Sequence, residues 1–409
     1  MESWHVPNPT RLPGRGRPLG LFDTSTGRVE VTRPGRTARM YVCGITPYDA
    51  THLGHAATYV AFDLVHRYWL DLGHGVEYAQ NVTDIDDPLL ERAAATGRDW
   101  RLLADEQTDL YRSDMTALNV LPPTALRGVE ESLGAIATWI DRLRTAGWTY
   151  PLESDLYAMV TKADGFGEVA GLSHEEMFQL FAERGGDPDR PGKQNPLDAL
   201  LWLGPRSGEP SWPSPSGPGR PGWHIGCTAI ALDHLGSGFD LQGGGSDLAF
   251  PHHEMCAALG RAATGDEHFA QHYVHAGMVA YQGEKMSKSL GNLVFVSTLL
   301  ESGIEAAVIR LGLLAHHYRS DWEWTDDVLI AAERRLSTWR AALAHGAGPS
   351  AADLTARVRD RLADDLDCPG ALSLIDEWAV RVLDGESADP DAAASVAPML
   401  GALLGIVLR

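Results

Sequence analysis

Residues 38–55 read ARMYVCGITPYDATHLGH, and the order of elements in this stretch decides the fold. Ala38 to Cys43 predicts a short strand, the Gly44-Ile45-Thr46-Pro47 run predicts a turn, and apolar spacing from Leu53 to Leu72 predicts a helix. A second strand is predicted over Val76 to Val82, where the chain reads Asn81-Val82-Thr83. Strand, helix, strand in that order begins a doubly wound parallel sheet, in which ligands bind outside the carboxyl ends of the strands where the strand order reverses. His52, His55 and Asn81 to Thr83 all fall at such ends.

Outward from this unit, helical spacing continues to about Leu118. A mixed segment over 121–219 follows, with the turn-rich Glu183-Arg184-Gly185-Gly186-Asp187-Pro188 and a proline-rich loop, Trp212 to Pro221, and it predicts an insertion into the sheet. Sheet is expected to resume at Trp223 to Ala231, to continue through Phe239 to Gly243 and to include Tyr273 to Ala280. From Ile304 the spacing is helical in Ala306 to Leu314, Val328 to Leu343, Leu354 to Leu366 and Ala371 to Leu383, with a last helix to Leu408. The expected organisation is a Pro-, Gly- and Arg-rich strap over 1–37 and an α/β nucleotide-binding domain split into 38–120 and 220–303. The insertion over 121–219 lies between the halves, and a helical bundle occupies 304–409.

Composition excludes several classes. With 409 residues, 44% of them apolar, the chain can bury a core large enough for roughly two or three domains. The longest apolar run, near Ala393 to Leu408, is interrupted by Pro398 and falls short of the roughly 20 residues of a membrane helix. No secretory-type start is present, so a cytoplasmic protein without a membrane partner is expected. A monomer is the expected state, though no motif in the chain bears on it. Four scattered cysteines, Cys43, Cys227, Cys256 and Cys368, make no disulfide scaffold and leave buried thiols or a metal site assembled in space. The formal charge of −21 argues against nucleic acid as a partner, since Lys and Arg neutralising phosphates supply most of that affinity. Over 346–409 the bias persists, with 11 acidic residues against 5 arginines and no lysine.

Two phosphate-type motifs stand against that acidic background. Lys285-Met286-Ser287-Lys288-Ser289 holds two of only four lysines, the chain meeting its other needs for positive charge with 30 arginines. An ammonium on a flexible stem can follow a phosphate that moves during reaction, whereas a guanidinium is a rigid planar fork. His52 and His55, three apart at a helix N-terminus, project from one face into a region of partial positive charge that suits an anion. An isolated pair of this kind would be no more than two capping histidines.

Cys43, Cys227 and the His252-His253 pair are zinc-competent, and two thiolates plus an imidazole leave one coordination position open. Alone, the two cysteines would read as inert buried thiols; both are expected at strand ends beside the nucleotide site. Gly243-Gly244-Gly245 permits close backbone approach, and Asp247 offers a carboxylate to ribose hydroxyls. Cys368 is expected in the core.

In combination these residues resemble the catalytic core of the class I aminoacyl-tRNA synthetases, the cysteinyl type in particular. The resemblance rests on Tyr41-Val42-Cys43-Gly44, His52-Leu53-Gly54-His55, Asn81 to Asp87, Pro221 to Cys227, Gly243 to His253 and Gly277 to Ser289, in that order over about 38–325. Within that superfamily, Gly44 to Thr51, Glu183 to Pro188 and Trp223-His224-Ile225-Gly226-Cys227 are more similar to the ligases of mycothiol biosynthesis, which join cysteine to glucosaminyl-inositol. The synthetases typically carry Glu where Gly226 stands and continue into an anticodon-binding region.

The resemblance implies a Rossmann-type (HUP) α/β catalytic domain with a connective insertion and a C-terminal α-helical bundle. It implies ATP with Mg2+ as substrate, His52 and His55 on its phosphates, and Lys285 and Lys288 following the departing pyrophosphate. The carboxylate of L-cysteine would attack the α-phosphorus to give a cysteinyl adenylate, and the amine of glucosaminyl-inositol would then take the acyl group. Charging of tRNA by a short cysteinyl synthetase is the alternative. Adenylate contacts are implied for Cys43, Gly44, Ile45, Thr46, Thr58, Asn81, Val82, Thr83, Trp223, Gly245, Ser246, Asp247 and the backbone at Val279. One Zn2+ per chain is implied on Cys43, Cys227 and His252, where its softness would separate cysteine from serine. The synthetases carry a fourth ligand, Glu, four residues after the histidine; Cys256 stands there, and three protein ligands are expected.

Overall fold

The computed structural model describes residues 1–48, 51–286 and 291–408. Its central sheet has five parallel strands, in spatial order Ala270–Ala276, Phe239–Gly245, Thr37–Ile45, Gly75–Val82 and Ala125–Gly128. The order reverses between Thr37–Ile45 and Phe239–Gly245, where Leu241, Gln242 and Gly243 stand opposite Met40, Tyr41 and Val42. A crevice outside the carboxyl ends of these two strands is where such sheets take ligands. The strand Thr37–Ile45 is almost entirely buried, as a central parallel strand covered by helices must be. The helix Leu53–Asp71 follows it and starts at His52, whose extended backbone and side chain, accepting from the His55 amide at 3.4 Å, serve as the N-cap.

Three segments differ from the expected elements. Trp223 to Ala231, expected as a strand, begins the helix Trp223–Leu235. Nearly every residue of that helix is buried, so its apolar residues run round all faces and carry no period that separates a core helix from a core strand. Tyr273 to Ala280 divides at Gly277. Ala270–Ala276 stays in the central sheet, whereas Val279–Tyr281 joins Glu284–Lys285 and Trp322–Glu323 in a small sheet of its own. Ala125–Gly128 lies in the stretch read as insertion, yet pairs with Gly75–Val82 as the edge of the central sheet. Four residues are too few to show a pattern.

The remainder of 121–219 carries the antiparallel strands Thr149–Leu152, Asp155–Ala158 and Ala199–Leu203, which with Arg220–Pro221 make a four-stranded sheet. It also carries the helix His174–Glu183, started by a capping box between Ser173 and Glu176. Helices Ala306–Leu314, Asp326–Ala344, Ala351–Leu362, Cys368–Leu383 and Ala392–Leu404 form the C-terminal bundle and share one core with the helix Leu53–Asp71. Cys368 is buried in it. Among the described residues no helix is long and apolar enough to cross a membrane.

The bundle meets the helix Leu53–Asp71 at a buried charge cluster. Asp63 accepts from Arg67 Nε at 2.6 Å and from Arg310, both guanidiniums being buried with it. Arg67 also donates to the Gly401 carbonyl at 2.9 Å, and Arg310 to the carbonyls of Leu404 at 2.7 Å and Leu118 at 2.8 Å. Burial works to raise the Asp63 carboxyl, but Arg67 and Arg310 outweigh it and hold the group below the usual carboxylate range. Asp63→Ala leaves two guanidiniums buried without their anion and is expected to lower the unfolding free energy by about 3–5 kcal/mol in a urea titration at pH 7. A carboxyl with a depressed folded value stabilises above its unfolded pKa of about 3.9 and loses that contribution as pH falls through the folded value. The difference between parent and variant should therefore narrow in strong acid and stay constant above pH about 5.

Candidate active site

Cys43 lies near the carboxyl end of the central strand Thr37–Ile45. Cys227 sits on the helix Trp223–Leu235 rather than at a strand end, and His252 on the tight helical turn Ala249–His253 that follows Phe239–Gly245. All three are buried, and their ligand atoms lie within 4.8 Å of one another. Zinc bonds of about 2.3 Å to sulfur and about 2.0 Å to nitrogen place tetrahedral donors roughly 3.5 Å apart, so a small closure completes the geometry. Two thiols and an imidazole are also the donor types that ion takes. The residues present fit it.

Charge in this pocket points the same way. Burial pushes the Cys43 thiol well above its ordinary value, while hydrogen bonding from Cys43 draws Cys227 well below its own. Burial opposes protonation of His252, but the sulfurs of Cys256 and Cys227 outweigh it and bring the ring to about 10. The cluster thus favours a cation in its midst. Cys256 Sγ stands 3.9 Å from His252 Nε2 and 3.5 Å from the His224 carbonyl, outside the mutually close trio.

A shell of imidazoles and one indole surrounds the trio. His252 Nδ1 shares a hydrogen bond of 3.0 Å with His224 Nδ1, and its Nε2 is on the side of the Cys256 sulfur. The Trp223 ring stacks on His252 at a centroid distance of 4.2 Å. On the other side His253 Nε2 is 3.2 Å from Cys43 Sγ, His253 Nδ1 is 2.8 Å from His275 Nε2, and His275 Nδ1 is 2.6 Å from Thr24 Oγ1. Desolvation holds His224 and His253 well below the usual imidazole value and His275 at about 4, so all three stay neutral. His275 and Thr24 were invisible as site residues in the sequence. They come from an edge strand and an N-terminal hairpin, and no spacing links them to Cys43.

The adenylate set expected from the sequence gathers at one end of the sheet. Ile45, Val82 and Gly245 close three neighbouring parallel strands, Thr46 and Thr83 follow two of them, and Ser246 and Asp247 continue the third. Val279 is buried just past the fourth. Asn81 Oδ1 accepts from Tyr41 Oη at 2.9 Å and from the Gly44 amide at 2.8 Å, and its Nδ2 donates to Thr83 Oγ1 at 2.9 Å. Its amide therefore braces the strand end that carries Cys43. A Cβ on Gly44 would lie 1.6 Å from the Asn81 carbonyl oxygen, so only glycine fits. Thr58 stands one turn beyond His55 on the same helix, its hydroxyl donating to the Gly54 carbonyl at 3.2 Å.

The rings of His52 and His55 stack at 3.8 Å. The Leu53 amide donates to the Val294 carbonyl at 2.8 Å and the Val296 amide to the Thr51 carbonyl at 3.1 Å, pinning this helix start to the chain just after the lysine loop. Lys288 lies outside the described residues, and of Lys285 only the backbone is described, paired with Ala280. Both flanks of the loop are thus fixed, one of them directly beside His52.

A family model described as tRNA synthetases class I (C) catalytic domain matches residues 29–334. The chain belongs to this family. Among curated relatives, an L-cysteine:1D-myo-inositol 2-amino-2-deoxy-alpha-D-glucopyranoside ligase of Streptosporangium roseum is 60% identical over 408 residues, covering 100% of both chains. Its namesake from Thermobispora bispora is 61% identical over 408 residues with the same coverage. These identities place the chain in that ligase group of the class I synthetase family. In fold it is similar to Mycobacterium tuberculosis methionyl-tRNA synthetase in complex with methionyl-adenylate, with a TM-score of 0.61, 17% identity, and coverage of 90% of this chain and 89% of that one. A ternary complex of Agrobacterium radiobacter K84 agnB2 LeuRS has a TM-score of 0.63 at 11% identity, covering 92% of this chain and 84% of the other. The doubly wound sheet expected from 38–82 is accordingly the class I synthetase fold.

The position of Cys256 leads to a direct comparison by metal analysis. Cys256→Ala should retain one zinc per chain, and Cys227→Ser, which removes one of the trio, should lose most of it during dialysis against a mild chelator.

Proposed function

We propose that this protein activates L-cysteine with ATP and joins it to the amine of 1-O-(2-amino-2-deoxy-α-D-glucopyranosyl)-myo-inositol, releasing AMP and pyrophosphate. One observation carries the activation step: the Cys43, Cys227 and His252 trio and the His52 helix start stand at the carboxyl ends of the same parallel sheet. Full-length identity to relatives named for that amino sugar supports the choice of acceptor.

ATP, accompanied by Mg2+, lies across the switch point, its phosphates against the N-terminus of Leu53–Asp71 and the rings of His52 and His55. The cysteine carboxylate attacks the α-phosphorus, an O–P bond forms, and pyrophosphate leaves. Lys285 and Lys288 balance the charge on the departing group. Asn81, by holding the Gly44 amide, fixes the strand end on which the amino acid rests. Cys43, Cys227 and His252 would hold a zinc ion, which when bound would favour a thiolate over the hydroxyl of serine and lower the thiol pKa. The imidazoles around the trio stay neutral and add no competing positive charge beside it. In the second step the amino-sugar nitrogen attacks the acyl carbon, an amide bond forms, AMP leaves with the former carboxylate oxygen, and the amine proton passes to solvent. Protein nucleophiles take no part, so positioning and electrostatics supply the rate. The substrates are small, the reaction is cytoplasmic, the enzyme is a monomer, and nucleic acid has no role.

The test is AMP release with ATP, magnesium and cysteine, given glucosaminyl-inositol in one reaction and cognate cysteine tRNA in the other, with products identified by mass. Cysteinyl amino sugar and uncharged tRNA are expected; charged tRNA with no amide product would make the chain a short synthetase. In cysteine-dependent ATP–pyrophosphate exchange, His55→Ala and Lys288→Ala should each lower kcat by about 10²- to 10³-fold, as loss of one transition-state donor does.

A further inference from the structure

Arg184 ends the helix His174–Glu183 of the insertion and reaches into the turn that carries His252. Its Nη1 donates to the Asp247 carbonyl at 2.7 Å and to the Phe250 carbonyl as well. Among the described residues no carboxylate pairs with this guanidinium. Its bonding is spent on backbone, where an ordinary surface arginine would find an acid.

The turn needs such a partner. Between Gly245 and the helix Glu254–Thr264 the chain makes two short helical turns, and within the second Phe250 departs to φ −136 and ψ 137. An interrupted ladder leaves its carbonyls to donors from elsewhere. The insertion meets this stretch twice more. The Ala170 amide donates to buried Glu254 Oε2 at 3.1 Å, and the Phe166 ring packs edge-on against Phe250 at 6.5 Å. Arg184, Phe166 and Ala170 therefore bracket His252 from both sides.

We infer that Arg184 is a positioning residue, which by holding two carbonyls from one nitrogen sets the chord from Asp247 to Phe250 and so the place of His252 against Cys43 and Cys227. The insertion then acts as a clamp on the metal-ligand turn. The consequence for cysteine activation rests on the function proposed above; the clamp itself does not.

The experiment uses the full chain with Arg184→Ala and Arg184→Lys. Zinc affinity is read by competition with a chromophoric chelator, cysteine KM and kcat by ATP–pyrophosphate exchange, and local order by amide hydrogen exchange. Arg184→Ala should weaken zinc and raise cysteine KM by about 10- to 100-fold, the range for residues that orient metal ligands, with a smaller change in kcat. Its hydrogen exchange should quicken over 246–254 and stay as in the parent across the C-terminal helices. Arg184→Lys should recover part of both losses through its ammonium donors. Parent-like zinc affinity with parent-like exchange over 246–254 overturns the inference, and so does faster exchange throughout the chain that lysine fails to correct. A parent without cysteine-dependent activity would remove the proposed function instead, while hydrogen exchange over 246–254 still decides the clamp.

Discussion

The parallel pairing of Phe239–Gly245 with Thr37–Ile45 is the constraint on which the rest depends. It joins two stretches separated by the whole insertion, and it sets their carboxyl ends side by side. Cys43 lies on one and the turn to His252 leaves from the other. The pairing also fixes the helix Leu53–Asp71, because Gly243 approaches Phe62 so closely that a Cβ there would stand 2.3 Å from its ring. With that helix held, His52 is held, and with His52 the flank of the lysine loop. Slip between these two strands would separate the thiol from the imidazole and the phosphate motif from both.

The pocket around the trio shows how a strongly acidic protein can prepare a place for positive charge. Its neighbours are neutral imidazoles, each prevented by burial from protonating, together with an indole face. Charge in such surroundings interacts over short distances with little screening. The two sulfurs and the His252 ring are then the groups an entering ion would meet, their ligand atoms already within 4.8 Å of one another. The same economy appears at Asp63, where one carboxylate serves two guanidiniums and backbone carbonyls take their remaining donors.

Much of this was legible in the sequence where periodicity or residue type is decisive. The unit over 38–82 alternates cleanly between strand and helix, and the C-terminal helices carry stripes of buried residues. Cys43, Cys227 and the His252-His253 pair stood out because few residue types can bind zinc, the family resemblance singled out His252, and the structure brings Cys43, Cys227 and His252 together. Trp223–Leu235 was misread since a helix buried on all sides has no stripe, and the four-residue strand Ala125–Gly128 was missed for want of length. Contacts made by convergence left no trace in one dimension. The chain from Cys43 through His253 and His275 to Thr24 joins four elements distant in sequence, and the reach of Arg184 to Asp247 joins two more.

The scarcity of lysine has a practical side. Lys193 is buried, with its ammonium donating to Asp187 at 2.8 Å and to the Pro196 carbonyl at 2.7 Å, and Lys162 is engaged with the Gly147 carbonyl. The amino terminus is paired with Glu131. Amine-directed reagents therefore meet only four lysines in all, with Lys162 exposed at the surface and Lys193 shielded by burial of its side chain. In an acylation mass map the surface amine of Lys162 would then serve as an internal reference against which the two lysines of the Lys285 to Ser289 motif are read, so a chain this poor in lysine yields a map of very few sites.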